Sequence, residues 1–157
     1  RVVAVAVACV VVAGSVVSLA ARDIASNPGH YPRHDFARFL STLAQGEGLK
    51  YGYAAYWVAA PLTWESNMQV EVYPVAPCAA PAGLCTYPWH EISSWYTPRP
   101  GIRTFLVTDP RYGPTPSDFK LGDPVEVVSY GEYKVYVYGF DIASRLGDAR
   151  SYGVNGS

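Results

Sequence analysis

Tyr51, Tyr53, Tyr56, Trp57 and Trp64 fall within fourteen consecutive positions. Aromatic faces this crowded could stack against the apolar C–H face of a sugar ring. The competing reading is core, because Trp57 and Trp64 stand at i and i+7, one buried face on a helix. That spacing favours core. Gly52 and Asp109 are further ligand-binding candidates: each falls at the end of an expected strand, and open α/β sheets bind ligands at the carboxyl ends of their strands. No G-x-G-x-x-G run accompanies them, so a nucleotide site is not expected. Asp109-Pro110-Arg111-Tyr112 reads by default as a surface turn with a local ion pair.

Other chemistry is thinner. Glu65 and Glu91 could be imagined as the carboxylate pair of a glycoside hydrolase, but nothing fixes their separation. His90 and the serines form no G-x-S-x-G elbow. His30 and His34 are four apart, yet Pro28 and Pro32 argue against a helix that would align them. Cys78 and Cys85 flank the loop CAAPAGLC and read as a loop-closing disulfide, worth about 2.5 kcal/mol in the chain-entropy model. Two free thiols are the alternative. A zinc site from Cys78, Cys85 and His90 lacks a ligand and fits no common spacing. No catalytic residue, metal or cofactor is expected in this chain.

The elements that would position these residues follow from periodicity. Phe36, Phe39, Leu40 and Leu43 fall at i, i+3, i+4 and i+7, an amphipathic helix stopped by Gly46. Strands are expected at 49–53, 69–75 and 102–109, the last apolar enough to be central. A helix through Trp57 and Leu62, with Pro61 kinking or restarting it, separates the first two, and a short helix over 89–96 precedes the third. PVEVVSY and EYKVYVYGF, separated by Gly131, read as an antiparallel edge hairpin. Strands alternating with helices imply a small three-layer α/β domain over 35–146 with a mainly parallel sheet. Residues 22–34 read as a polar linker and 147–157 as a disordered tail.

Residues 2–21 carry no charge. About 20 apolar residues make about 30 Å of helix, the hydrocarbon thickness of a bilayer. A single transmembrane helix over 1–21 is therefore expected, in contact with membrane lipid. Gly14 and Ser18, with Ala6 and Val10 on the same stripe, suit packing against other transmembrane helices of the same protein. Cys9 reads as a small packing residue within it. The alternatives are a signal peptide, for which Ser18-Leu19-Ala20 would be the cleavage site, and a buried element of a soluble fold. The chain opens on Arg1 without an initiator Met, which fits a piece of something longer. Arg22, Arg33 and Arg38 after the helix favour a cytoplasmic domain by the positive-inside rule. The cysteine pair favours the opposite side, since disulfides persist outside the cytosol. We weight the cysteines and expect a cell-membrane protein with its soluble domain extracytoplasmic.

The chain of 157 residues has a formal net charge of −1, which excludes the basic face of a nucleic-acid binder. It is rich in aromatics, at 14%, and poor in charges, at 16%, against roughly 25% in ordinary soluble domains.

Gly48-Leu49, Tyr51-Gly52-Tyr53-Ala54, Tyr56-Trp57, Leu62-Thr63 and Ser66, followed by Val72-Tyr73-Pro74-Val75, carry a resemblance. The run resembles the C-terminal extracytoplasmic domain of bacterial polytopic membrane glycosyltransferases, the relatives of protein-O-mannosyltransferases and of lipid-A aminoarabinose transferase. The resemblance covers about two thirds of the chain, although only this short run is distinctive. It implies an accessory segment of an enzyme that moves a sugar from a polyprenyl-phosphate donor to an extracytoplasmic acceptor. The family's catalytic carboxylate lies in an early loop with no counterpart here, so no catalytic role carries over. Pro61 and the cysteine loop depart from the pattern. The alternatives are a stand-alone membrane-anchored domain binding glycan or a protein partner without catalysis, and a secreted enzyme with its leader attached.

Overall fold

The computed structural model describes residues 34–78, 83–89, 92–111 and 119–148. Helix α1 (His34–Glu47) buries Phe36, Ala37, Leu40 and Ala44 along the stripe its periodicity dictates. Gly48, at φ +66°, lets the chain turn directly into β1 (Tyr51–Ala55). Helix α2 (Tyr56–Glu65) starts at the next residue and runs unbroken through Pro61. The remaining strands are β2 (Glu71–Pro77), β3 (Leu84–Thr86), β4 (Thr104–Thr108), β5 (Glu126–Tyr130) and β6 (Tyr133–Tyr138).

These six strands form one sheet in the order β3-β2-β1-β4-β6-β5. β1 pairs in parallel with β2, Tyr53 opposite Tyr73, and with β4, Tyr53 opposite Leu106. The β2–β3, β4–β6 and β5–β6 pairs are antiparallel. The sheet is therefore mixed, which corrects the expected mainly parallel one. The reason lies in the connections: among the described residues only β1–α2–β2 contains an α-helical crossover, and β6 turns back on β4. The edge hairpin is present, with β4 central.

Alternation along the strands sorts the core into two faces. One buries Ala54, Val72, Phe105, Val107, Val135 and Val137 under α1 and α2. The other buries Tyr51, Tyr53, Tyr73, Val75, Leu106 and Tyr138 with Ile142 and Phe119. Its cover comes from loops and two turns of 3₁₀ helix, Ser93–Tyr96 and Ile142–Arg145. The expected helix over 89–96 is thus a single 3₁₀ turn among the described residues, and the three-layer expectation becomes helices on one face and turns on the other. Pro88, Pro98 and Pro100 bracket that stretch and leave no room for a longer helix.

The expected membrane-spanning helix over 1–21 is not among the elements the structure describes. Of the two helices described, neither is long and apolar enough to cross a bilayer. The apolar run over 1–21 and the linker to residue 33 lie outside the described residues, as does the tail from 149. Residues 147 and 148, expected in that tail, are instead held against β3, where the Gly147 amide donates to the Leu84 carbonyl at 2.8 Å.

Candidate functional site

α2 and β2 lie side by side, and a groove of about 410 Å³ opens between them. Tyr56, Ala60, Thr63 and Trp64 form the α2 wall, Glu71, Tyr73 and Pro74 the β2 wall, and Met68 and Trp95 complete the lining. That volume lies within the range of about 300–1,000 Å³ usual for small-molecule sites. Trp64 is 79% exposed and Met68 63%, so large apolar groups stand in water at the mouth. Trp95 stacks on Tyr73 at 5.2 Å with ring planes within 10°.

The groove follows a sheet edge that is already closed. β3 covers only Val75 to Pro77 of β2, which leaves Glu71 to Pro74 without a strand on the side away from β1. The Thr63 hydroxyl fills that gap at Val72, accepting from the amide at 2.8 Å and donating to the carbonyl at 3.2 Å. Pro74 has no amide proton, and its carbonyl accepts from the Tyr96 hydroxyl at 2.6 Å. An extended peptide adding to this edge would find its ladder groups taken. What remains for a ligand is aromatic surface and side-chain polarity.

The polarity centres on Tyr73. Its hydroxyl donates to the Glu71 carboxylate. Burial, and then that carboxylate, push the Tyr73 hydroxyl up to about 12. The Arg99 guanidinium lies 4.4 Å over the Tyr51 ring. Beneath it the buried Asp141 carboxylate accepts from Tyr51 at 2.6 Å, Tyr53 at 3.2 Å, the Arg99 amide at 2.8 Å and the Ala143 amide at 3.1 Å. Burial first, and Asp141 second, hold the Tyr51 and Tyr53 hydroxyls well above the ordinary tyrosine range. Asp141 therefore fixes the backbone at Arg99.

The expected site residues divide. Tyr56 and Trp64 line the groove, and Trp57, 54% exposed, packs edge-on against Tyr56 at 5.0 Å. The expectation that Trp57 and Trp64 share a buried face is corrected: α2 buries Val58, Ala59 and Leu62 instead. This helix is apolar nearly all round, so spacing alone could not say which side meets the sheet. Tyr53 is fully buried and serves Asp141. Gly52 sits within β1, against the Phe105 ring, where no ligand reaches. Asp109 is closed into its turn, bonded to the Arg111 amide at 2.9 Å and to its guanidinium at 2.6 Å, as the local ion pair required. The cavity beside it, at the carboxyl ends of β1 and β4, holds only about 30 Å³, room for about one water.

Cys78 and Cys85 form the disulfide, which excludes them as thiolate ligands. Among the described residues no cluster of three His, Cys, Asp or Glu could hold a metal ion. Glu65 is pushed above the ordinary carboxylate range by burial, while His30, His90 and Glu91 lie outside the described residues. Met68, Glu71, Tyr73, Trp95, Arg99 and Asp141 were not among the expected site residues. One signal pointed toward them: Pro74 within a strand marks an edge, and the edge is where the groove runs.

The fold and groove define an α/β domain with an aromatic cleft on a blocked sheet edge. No protein-family model matches this chain, and no curated protein or solved structure matches it either.

Proposed function

We propose that this domain binds glycan outside the cytoplasm, as the accessory domain of a cell-membrane glycosyltransferase that uses a polyprenyl-phosphate sugar. The observation that carries the glycan half is the groove: an exposed Trp64 with half-buried Tyr56 and Trp95 beside hydrogen-bonding groups at Glu71 and Tyr73. Aromatic faces take the C–H face of a pyranose, and the polar groups take its hydroxyls. A closed strand edge disfavours peptide, and the net charge of −1 disfavours nucleic acid.

The transferase half rests on the resemblance of Gly48 to Ser66 and Val72 to Val75. Those segments supply β1, α2 and β2, the elements that wall the groove. The Cys78–Cys85 disulfide supports an oxidising compartment.

Titration of the full chain with short oligosaccharides, followed by tryptophan fluorescence, tests the glycan half. Saturable quenching that Trp64→Ala abolishes is expected, and a flat response across neutral, anionic and cationic sugars overturns it. Reading the gene upstream of Arg1 tests the transferase half. Several apolar spans in frame, with an acidic loop after the first, support it; none removes it.

A further inference from the structure

Three non-glycine residues among those described hold left-handed backbone: Asn67 at φ 53°, Met68 at 61° and Lys120 at 53°. Two of them are consecutive, in the turn that carries the chain from α2 to β2. Asparagine visits that region readily, whereas the Cβ of a methionine crowds the following carbonyl there. The turn itself is fixed by other groups. The Asn67 amide donates to the Trp64 carbonyl at 3.0 Å, the Met68 amide to Thr63 at 3.0 Å and the Gln69 amide to Ser66 at 3.2 Å. The Ser66 hydroxyl donates to the Thr63 carbonyl at 2.9 Å. None of these bonds uses the Met68 side chain, so glycine would serve the turn as well. Nor does the thioether offset the strain through packing. It joins neither core cluster and is 63% exposed. Instead it lines the groove with Trp64. Strain without a structural use points to function.

We propose that Met68 is a sugar-binding residue, the second apolar contact for a ring stacked on Trp64, an assignment that rests on the glycan reading above. Methionine suits that role, because an unbranched, polarisable thioether moulds itself to an irregular apolar surface. The hydrogen-bonded turn keeps it at the groove mouth, while Glu71 and Tyr73 on the β2 wall supply the polar contacts.

The test begins with calorimetry of the full chain against maltotriose, cellotriose, α-1,6-mannotriose, a hyaluronan tetrasaccharide and fully deacetylated chitotriose. The sugar that binds tightest is then titrated into three variants, each also unfolded in urea. Met68→Gly removes strain and side chain together. Its urea midpoint should rise by roughly 0.3–0.6 M, net of the entropy that glycine adds to the unfolded chain, while its affinity falls about tenfold. Asn67→Gly relaxes the neighbouring position, which does not line the groove, and should leave affinity within about twofold. Met68→Leu keeps the strain and an apolar contact of similar size, so it should hold affinity within about threefold. Met68→Gly binding within twofold of the parent overturns the assignment while the groove reading stands. A lowered midpoint or a failure to fold in Met68→Gly overturns it as well, since the side chain would then be structural. If the parent binds none of the five sugars, the groove reading falls and the role of Met68 falls with it.

Discussion

Gly52 shows what a single missing side chain does in this fold. A Cβ at that position would run into the Phe105 ring across the β1–β4 pair. Phe105 is fully buried under α1 and α2, so the ring has nowhere to go. Gly52→Ala should therefore destabilise by about 1–3 kcal/mol, the usual cost of overpacking a filled core. Urea unfolding measures it, and adding Phe105→Leu should recover part of the loss, because the two sites share one volume. An unchanged urea midpoint for Gly52→Ala would sink the account. From sequence, Gly52 could be read as a ligand position at a strand end, since nothing in the order of residues says that a phenylalanine over fifty positions later lies opposite. Asp141 was illegible for the same reason. Its partners come from far along the chain, Tyr51 and Tyr53 on β1 and Arg99 in the connection before β4. Local chemistry was legible: the Asp109–Arg111 ion pair and the Cys78–Cys85 bond join neighbours in sequence.

At the scale of elements, the disulfide does more than close its own loop. Gly147 lies against both sulfurs, its amide donates to Leu84 at 2.8 Å and its carbonyl accepts from the Thr86 amide at 3.2 Å. Those backbone bonds hold the segment after the Ile142–Arg145 turn to β3, and the disulfide packs against it. Reduction, or the double change Cys78→Ser with Cys85→Ser, should cost about 2.5 kcal/mol from loop closure alone. Hydrogen exchange should show the Thr86 and Gly147 amides losing protection before those of β1 and β4. Equal protection in the oxidised and reduced chains would refute the coupling. The elements themselves were largely readable, because α1 and β6 have a strong local period and α2 and the central β4 are apolar runs between polar segments. Two things were not readable. β3 is three residues long and has no period to detect. The exposed face of α2 is set by where β2 lies, so Trp57 and Trp64 looked like core until the sheet was placed.

At the scale of the whole molecule, the tyrosines tie stability to alkaline pH. Burial is the leading cause that raises Tyr51, Tyr53, Tyr73, Tyr133 and Tyr138, with Tyr73 and Tyr138 each brought to about 12. A phenol whose folded value lies above its unfolded value of about 10 favours folding while protonated. Its contribution is complete below pH 10 and is lost as the pH climbs through the folded value. Each such tyrosine drains roughly 1.4 kcal/mol per pH unit, because the unfolded chain has released a proton that the folded chain retains. Tyr51, Tyr53, Tyr73 and Tyr138 together would exhaust a stability of about 5–15 kcal/mol within about two units above pH 10. Absorbance at 295 nm should therefore rise in a cooperative step that coincides with loss of circular dichroism. Tyr138→Phe should make the step shallower and raise stability below it, since the Tyr138 hydroxyl is buried without a hydrogen-bond partner. Smooth ionisation of every tyrosine near pH 10 with the circular dichroism unchanged would show that these phenols are not held by the fold. Tyr73 of this set lines the groove, so sugar binding there should disappear in that step and not before it.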